Sequence, residues 1–360
     1  MTEIWTPIEL GAMRLPHRVA MAPMTRGRAH PDGTPSALAI DYYAQRAGLG
    51  LLITEGTQPS EDGQGYLNTP GLHKPAHVEG WRPIASAVHD AGGHIFVQLM
   101  HVGRMSHPAN TPHGRQPVAP SAVAPGVPMF TAGGMVPIPE PRALTRQEIA
   151  ATIQDFAAAA RLAVEAGADG VEIHGANGYL LQQFMAPNAN LRDDEYGGTI
   201  ANRMRLTLEV TRAVAEAIGP ERTGLRLSPG GTLGGIEEGP EGPDLYRRLV
   251  AEIDGLGLAY LHILHAGDEP LLADLRKAWR GVLILNRAGQ GRERVGRDVA
   301  AGLTDMESFG QMVLANPDFV ERIRSGAPLN EPNKVLYYGG GAAGYIDYPT
   351  LASQEARQAS

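Results

Sequence analysis

Thr25, Gln98, His174, Asn177 and Tyr179 are neutral hydrogen-bonding side chains around one guanidinium, Arg226, outside any carboxylate dyad or metal-ligand spacing. Such a set suits a flat, polar heterocycle. His174 and Asn177 stand three apart, and if the chain coils between them both can turn toward one point. Two donors on one oxygen hold a carbonyl or nitro group and stabilise the negative charge that develops on it. Tyr179 follows closely; a phenol with a pKa of about 10 keeps its proton at neutral pH and can serve as an acid. Each residue also has a structural reading. Thr25 can cap a helix, Gln98 satisfy a loop, Arg226 pair a core acid, His174 cap a strand-to-helix turn and Tyr179 fill the core. Their joint placement at the ends of successive strands favours chemistry.

The elements that must position them repeat as strand then helix. Apolar or β-branched runs at 17–24, 51–57, 94–100, 170–175, 223–229, 258–264 and 281–286 predict strands, and 305–310 supplies an eighth. Helices are expected near 36–47, 77–91, 145–166, 199–218, 243–254, 268–278 and 316–325, with Thr145 as a cap and Gly167 as a stop. A doubly wound sheet and a (β/α)8 barrel both satisfy this alternation, and the eighth strand selects the TIM barrel. The chain exceeds the roughly 250 residues of an ordinary barrel. Residues 1–16 predict a hairpin cap at the barrel bottom, 102–143 a long loop after strand three, and 330–360 a C-terminal tail. The loop holds nine of the 28 prolines and follows a strand at the catalytic face, so it shapes a pocket within one domain, 1–360.

Composition removes whole classes of function. Without cysteine there is no disulfide, thiolate zinc site, cysteine-held iron–sulfur cluster or cysteine nucleophile, so redox chemistry must use a bound cofactor. A net charge of −8 gives no basic stripe for nucleic acid. No run approaches the roughly 20 apolar residues of a membrane span, and Met-Thr-Glu-Ile-Trp lacks the features of a signal peptide. A cytoplasmic protein, monomer or homodimer, is expected. Among the twelve histidines there is no His-Glu-x-x-His, and His262 and His265, without an obvious carboxylate partner, read as structural; no metal site is expected. Gly339 to Gly344 has the spacing of a dinucleotide fingerprint but no strand–helix context, and reads as a flexible loop. For a phosphate, barrels use the loops after strands seven and eight; here these carry Arg287, Gly289 and Gly310.

The segments HRVAMAPMTR, ITEGT, VQLMHVGR, GVEIHGANGYLLQQFMAPNANLRDDEYGGTIANR, LRLSP and YYGGGAAGYIDYP resemble, in order, those of the Old Yellow Enzyme family. That resemblance implies an FMN-dependent, NADPH-dependent ene-reductase that acts on α,β-unsaturated carbonyls and nitroalkenes by a ping-pong route, hydride passing from flavin N5 to the β-carbon. It implies an FMN ring near Pro23, Met24, Thr25, Gly56, Gln98 and Arg226, with phosphate near Arg287, Gly289, Gly310 and Gln311. His174 and Asn177 would hold the substrate oxygen and Tyr179 would protonate carbon, with Tyr66, Met100 and Tyr338 lining the substrate pocket. Two departures stand out. Gln311 replaces an arginine that many relatives carry beside the phosphate, and Met100 replaces a tryptophan, which widens the pocket. A non-catalytic FMN-binding module and a non-flavin isomerase or aldolase are the competing readings. The lysines lie off the strand ends where a Schiff-base aldolase would need one.

Overall fold

The computed structural model describes residues 3–358; the outermost residues of the predicted cap and tail, 1, 2, 359 and 360, lie outside the described residues. Eight parallel strands close into a barrel: β1 (Val19–Met21), β2 (Leu51–Ile53), β3 (Ile95–Leu99), β4 (Gly170–Gly175), β5 (Thr223–Leu227), β6 (Tyr260–Leu264), β7 (Leu283–Asn286) and β8 (Met306–Phe309). They pair in chain order, and β8 returns to β1. Each falls inside a predicted run. The strands are buried on both faces, one against the helical ring and one against the interior, which is why they read as continuous apolar runs rather than alternating ones.

The helix Arg146–Glu165 shows how local sequence sets an element. Thr145 Oγ1 accepts the N–H of Glu148, and the Glu148 carboxylate accepts the N–H of Thr145 at 2.8 Å, a reciprocal cap that fixes the first turn. At the far end Gly167 takes φ +97°, turning the chain toward β4.

The strands Ile8–Leu10 and Met13–Leu15 form the expected antiparallel hairpin. Its fully buried Leu10 and Leu15 plug the bottom of the barrel against Phe96, Tyr260, Ile284 and Met306. Gly170 and Gly224 make room there: a Cβ on either would stand about 2.5 Å or less from the Phe96 or Tyr260 ring. Filling the lower interior with these rings leaves the upper interior and the opposite mouth for polar residues.

The long loop after β3 is ordered by its own pairings, an antiparallel hairpin of Pro128–Thr131 with Gly134–Pro137 and a short bridge of Val118–Ala119 to Arg142–Ala143. The 339–344 run is a loop, as its context predicts. No helix among the described residues is long and apolar enough to cross a membrane.

Candidate active site

Two clefts open at the carboxyl ends of the strands, of about 250 and 230 Å³, and they share Pro23, Met24 and Gln311. They lie side by side across the barrel mouth, with those three residues as a common wall. One is lined by Thr25, Gln98, Met100, His174, Asn177, Tyr179 and Tyr338. The other is lined by Arg226, Asn286, Arg287, Gly289 and Gly310. Gly56 and Tyr66 border neither cleft. Gly56 lies beneath the Met100 side chain, and Tyr66 touches Tyr179, Oη to Oη at 3.1 Å with the rings edge to face.

Strand geometry and a strained turn bring the His–Asn–Tyr group together. His174 points inward near the top of β4, in register with Arg226 on β5. Three residues on, Asn177 adopts φ +57°, one of two described non-glycine residues with positive φ, and Gly178 follows at φ +76°. This left-handed bend is the coil that the spacing required. It is pinned from below: the Asn177 N–H donates to Ser228 Oγ at 2.9 Å, and Ser228 Oγ donates to Gln182 Oε1 at 3.1 Å. Tyr179 then begins the helix Leu180–Met185, its ring 5.1 Å from that of His174.

The electrostatics keep this group uncharged. Burial, helped by the nearby Arg226 charge, holds the His174 pKa down to about 3, so its imidazole is neutral at any physiological pH. Burial also pushes the Tyr179 phenol well above its ordinary value, and the Tyr66 contact adds to the effect. Buried His174 Nδ1, Asn177 Oδ1 and Arg226 Nε have no hydrogen-bond partner within the protein. Unsatisfied buried polar atoms cost about 1–3 kcal/mol each, and three of them on residues lining two adjoining clefts point to a polar ligand there.

Neighbouring loops set the rim. Glu55, a buried carboxylate after β2, accepts the backbone N–H groups of Arg26 (2.8 Å) and Gly27 (2.9 Å), shaping the turn that presents Met24 and Thr25. Arg26 and Arg28 donate to carbonyls of Leu336, Tyr337, Gly341, Ala343 and Gly344, which fixes Tyr337 and Tyr338 over the cleft. Arg287 reaches the second cleft with all three of its nitrogens engaged, by Glu269 (2.6 and 3.0 Å), Asp298 (2.9 Å) and His265 Nδ1 (3.1 Å).

Beneath the mouth, His262 has the carboxylate partner that the sequence did not disclose. Its Nδ1–H donates to Glu172 Oε2 at 2.8 Å, inside the barrel, because Glu172 lies two residues below His174 on the same inward face of β4. Strand alternation from His174 was the signal that could have found Glu172. Tyr337, Leu314 and Asn286 also border the clefts and were not singled out as site residues; Asn286 ends β7 beside Arg287 and Tyr337 adjoins Tyr338, signals that could have found them, whereas nothing local marks Leu314.

The donor set fits an FMN. Arg226 and Gln98 face the two adjoining clefts, the glycines after β7 and β8 leave backbone accessible, and a Cβ added at Gly289 would meet nothing within 4 Å.

Comparison with known proteins agrees. The chain is 41% identical to 12-oxophytodienoate reductase 2 of Arabidopsis thaliana, covering 97% of this chain and 96% of that protein. It is 41% identical to a probable flavin mononucleotide-dependent alkene reductase of Leishmania infantum, covering 96% of each. Among solved structures, morphinone reductase in complex with tetrahydroNAD superimposes with a TM-score of 0.93 at 42% identity over 98% of each chain. The old yellow enzyme homologue from Zymomonas mobilis gives 0.94 at 40% identity, covering 97% of this chain and all of that one. Residues 3–330 match the model of the NADH:flavin oxidoreductase / NADH oxidase family, and the chain belongs to that family.

Proposed function

We propose that this chain reduces the C=C bond of alkenes conjugated to a carbonyl or nitro group, drawing electrons from NADPH through FMN. When bound, FMN supplies two-electron chemistry: it takes reducing equivalents from the nicotinamide and passes them to the alkene β-carbon. Pro23, Met24, Thr25, Gln98 and Arg226 hold its ring, and Gly289, Gly310 and Gln311 its phosphate end, with Arg287 at the edge. Gly56 acts through Met100, which it lets lie close to the strand end.

His174 and Asn177 grip the substrate oxygen. A neutral imidazole donates one hydrogen bond without carrying a charge that would bind anions indiscriminately. Their donors stabilise the negative charge that builds on that oxygen as the β-carbon is reduced. Tyr179 delivers a proton to the α-carbon; its raised pKa keeps the phenol loaded, and Tyr66 holds the hydroxyl in place. Met100 and Tyr338 bound the space for the rest of the substrate, and Tyr66 acts on it only through Tyr179. With FMN bound, nicotinamide and alkene would both have to enter the cleft lined by His174, Asn177 and Tyr179, so they would bind in turn with ping-pong kinetics.

The observation that carries this reading is the convergence of His174, Asn177 and Tyr179 on a cleft that shares Pro23, Met24 and Gln311 with the one that Arg226 lines. His174→Ala is expected to lower kcat/KM for cyclohexenone by about 10²–10³, the usual loss of an oxyanion donor. Tyr179→Phe is expected to slow the alkene half-reaction in stopped-flow while NADPH oxidation keeps its rate. Equal losses in both half-reactions would remove the proton-donor role. Equal kcat/KM for NADH and NADPH would remove the NADPH preference alone.

A further inference from the structure

Glu172 is a carboxylate with no exposed surface and no place in the reduction chemistry, lying inside the barrel below the mouth. Burying such a charge is costly unless opposite charge and hydrogen bonds compensate it. Gln98 Nε2 donates to Oε1 at 2.8 Å and His262 Nδ1–H donates to Oε2 at 2.8 Å. Gln98 is an amide, and burial followed by the Arg226 charge lowers the His262 pKa against the upward pull of Glu172. The permanent positive charge beside this pair is Arg226, packed on His262. Its Nη1 packs against the His262 ring, 2.6 Å from Nε2 and 3.0 Å from Nδ1, with Ser308 Oγ also 2.8 Å from Nε2, and its Nη2 donates to Asn286 Oδ1 at 3.2 Å. Carboxylate, imidazole and guanidinium thus form one buried chain from the barrel interior to the cleft, with a formal charge of zero.

We propose that Glu172 is a positioning residue that lowers the reduction potential of the flavin, by offsetting through His262 the charge of Arg226 at the ring. This rests on the reading of Arg226 as a flavin contact. Uptake of two electrons and one proton from the nicotinamide leaves one negative charge on the ring. An uncompensated buried guanidinium beside that charge would hold the reduced state too firmly for it to reduce an alkene. The carboxylate below removes most of that excess while leaving the arginine free to donate a hydrogen bond. Glu172 also fixes the Gln98 amide, so one buried acid orients two side chains of the cleft.

The test is the midpoint potential of the FMN-loaded protein at pH 7, by dye equilibration, for the wild type, Glu172→Gln and Glu172→Asp. In the Gln variant the equilibrium is expected to move at least about tenfold toward reduced flavin, an upward shift of about 30 mV for a two-electron couple. Reduction by NADPH quickens and oxidation by cyclohexenone slows. The Asp variant keeps the charge and stays within about threefold of the wild type, or about 15 mV by the same conversion. A Gln variant with an unchanged or lower potential overturns the proposal. Equal shifts in Gln and Asp also overturn it, because they assign the effect to lost contacts. Where the Gln variant does not load FMN, Glu172→Ala is titrated with formate, which is expected to bring the potential back down; no response to formate, or no FMN loading by either the Gln or the Ala variant, overturns it too. Wild-type turnover is recorded alongside. A wild type that neither binds FMN nor reduces cyclohexenone defeats the reading of the site, whereas an active wild type with an unshifted Gln variant defeats only the role of Glu172.

Discussion

Acid is expected to destabilise this protein partly through its buried histidines, and His101 isolates the effect. His101 follows Met100 at the end of β3, buried, its Nδ1 accepting the N–H of Gly103 at 3.1 Å and its carbonyl accepting the N–H of Leu180 at 3.0 Å. Burial lowers its pKa from 6.5 to about 4, against a smaller upward pull from Asp62. The unfolded chain therefore takes up a proton below pH 6.5 that the native ring refuses until about pH 4. The stability that this group contributes is fully present above pH 6.5 and is lost as pH falls toward 4. Between pH 7 and pH 5 the loss amounts to about 2 kcal/mol. His101→Asn places Oδ1 where Nδ1 stood, keeps the bond to Gly103 and titrates nowhere. Urea unfolding of both proteins, saturated with FMN, at pH 7 and pH 5 supplies the comparison. The wild type is expected to lose about 2 kcal/mol more than the variant over that interval. Any constant cost of the smaller side chain cancels, as do His174 and His262, which both proteins share. Equal losses would refute the reasoning.

Two further outcomes concern the cleft. A Cβ at Gly56 would stand 2.4 Å from Sδ and 2.5 Å from Cε of Met100, the free end of a flexible side chain, so Gly56→Ala is expected to swing Met100 into the substrate space. KM for a β,β-disubstituted enone then rises roughly tenfold while cyclohexenone changes less than about threefold, and matching changes for both would show that Met100 does not set pocket width. Gln311→Arg restores a guanidinium beside the shared wall of the two clefts; a charge-assisted contact worth about 1.5 kcal/mol tightens FMN roughly tenfold in a fluorescence titration at low salt, and an unaltered Kd would place the phosphate elsewhere.

The barrel was legible because each strand is short, buried and bounded by turn residues, and because eight such runs alternate with capped helices. Thr145 shows how far local chemistry reaches: its cap, its glutamate three residues on and the closing Gly167 are all in the sequence. The helix Leu180–Met185 was not legible, since all six of its residues are buried and no amphipathic period remains to be read. Its Gln182 and Gln183 look like surface residues but bond inward, to Ser228, Glu238, Val102 and Gly178. The same holds for His262. Its carboxylate lies 90 residues away on β4, and only the closed barrel brings the two together. Arg287 is the converse case. Its position after β7 marks it as a phosphate ligand, and nothing local reveals that Glu269 and Asp298 already hold it.

The C-terminal glycine run completes the argument about the mouth. As a nucleotide motif it lacks every structural requirement, and its glycines have another use: they expose carbonyls for Arg26 and Arg28. Arg26 lies just beyond Met24 and Thr25, and its guanidinium stands 5.2 Å from the Tyr42 and Tyr345 rings, themselves stacked at 4.1 Å. The Gly339 N–H donates back to the Arg26 carbonyl at 2.8 Å. The turn after β1 and the loop bearing Tyr337 and Tyr338 therefore behave as one unit. A change that loosens Arg26 moves both the ring-binding edge and the substrate-facing tyrosines, so cofactor affinity and substrate KM change together at that residue, whereas at Gly56 they separate.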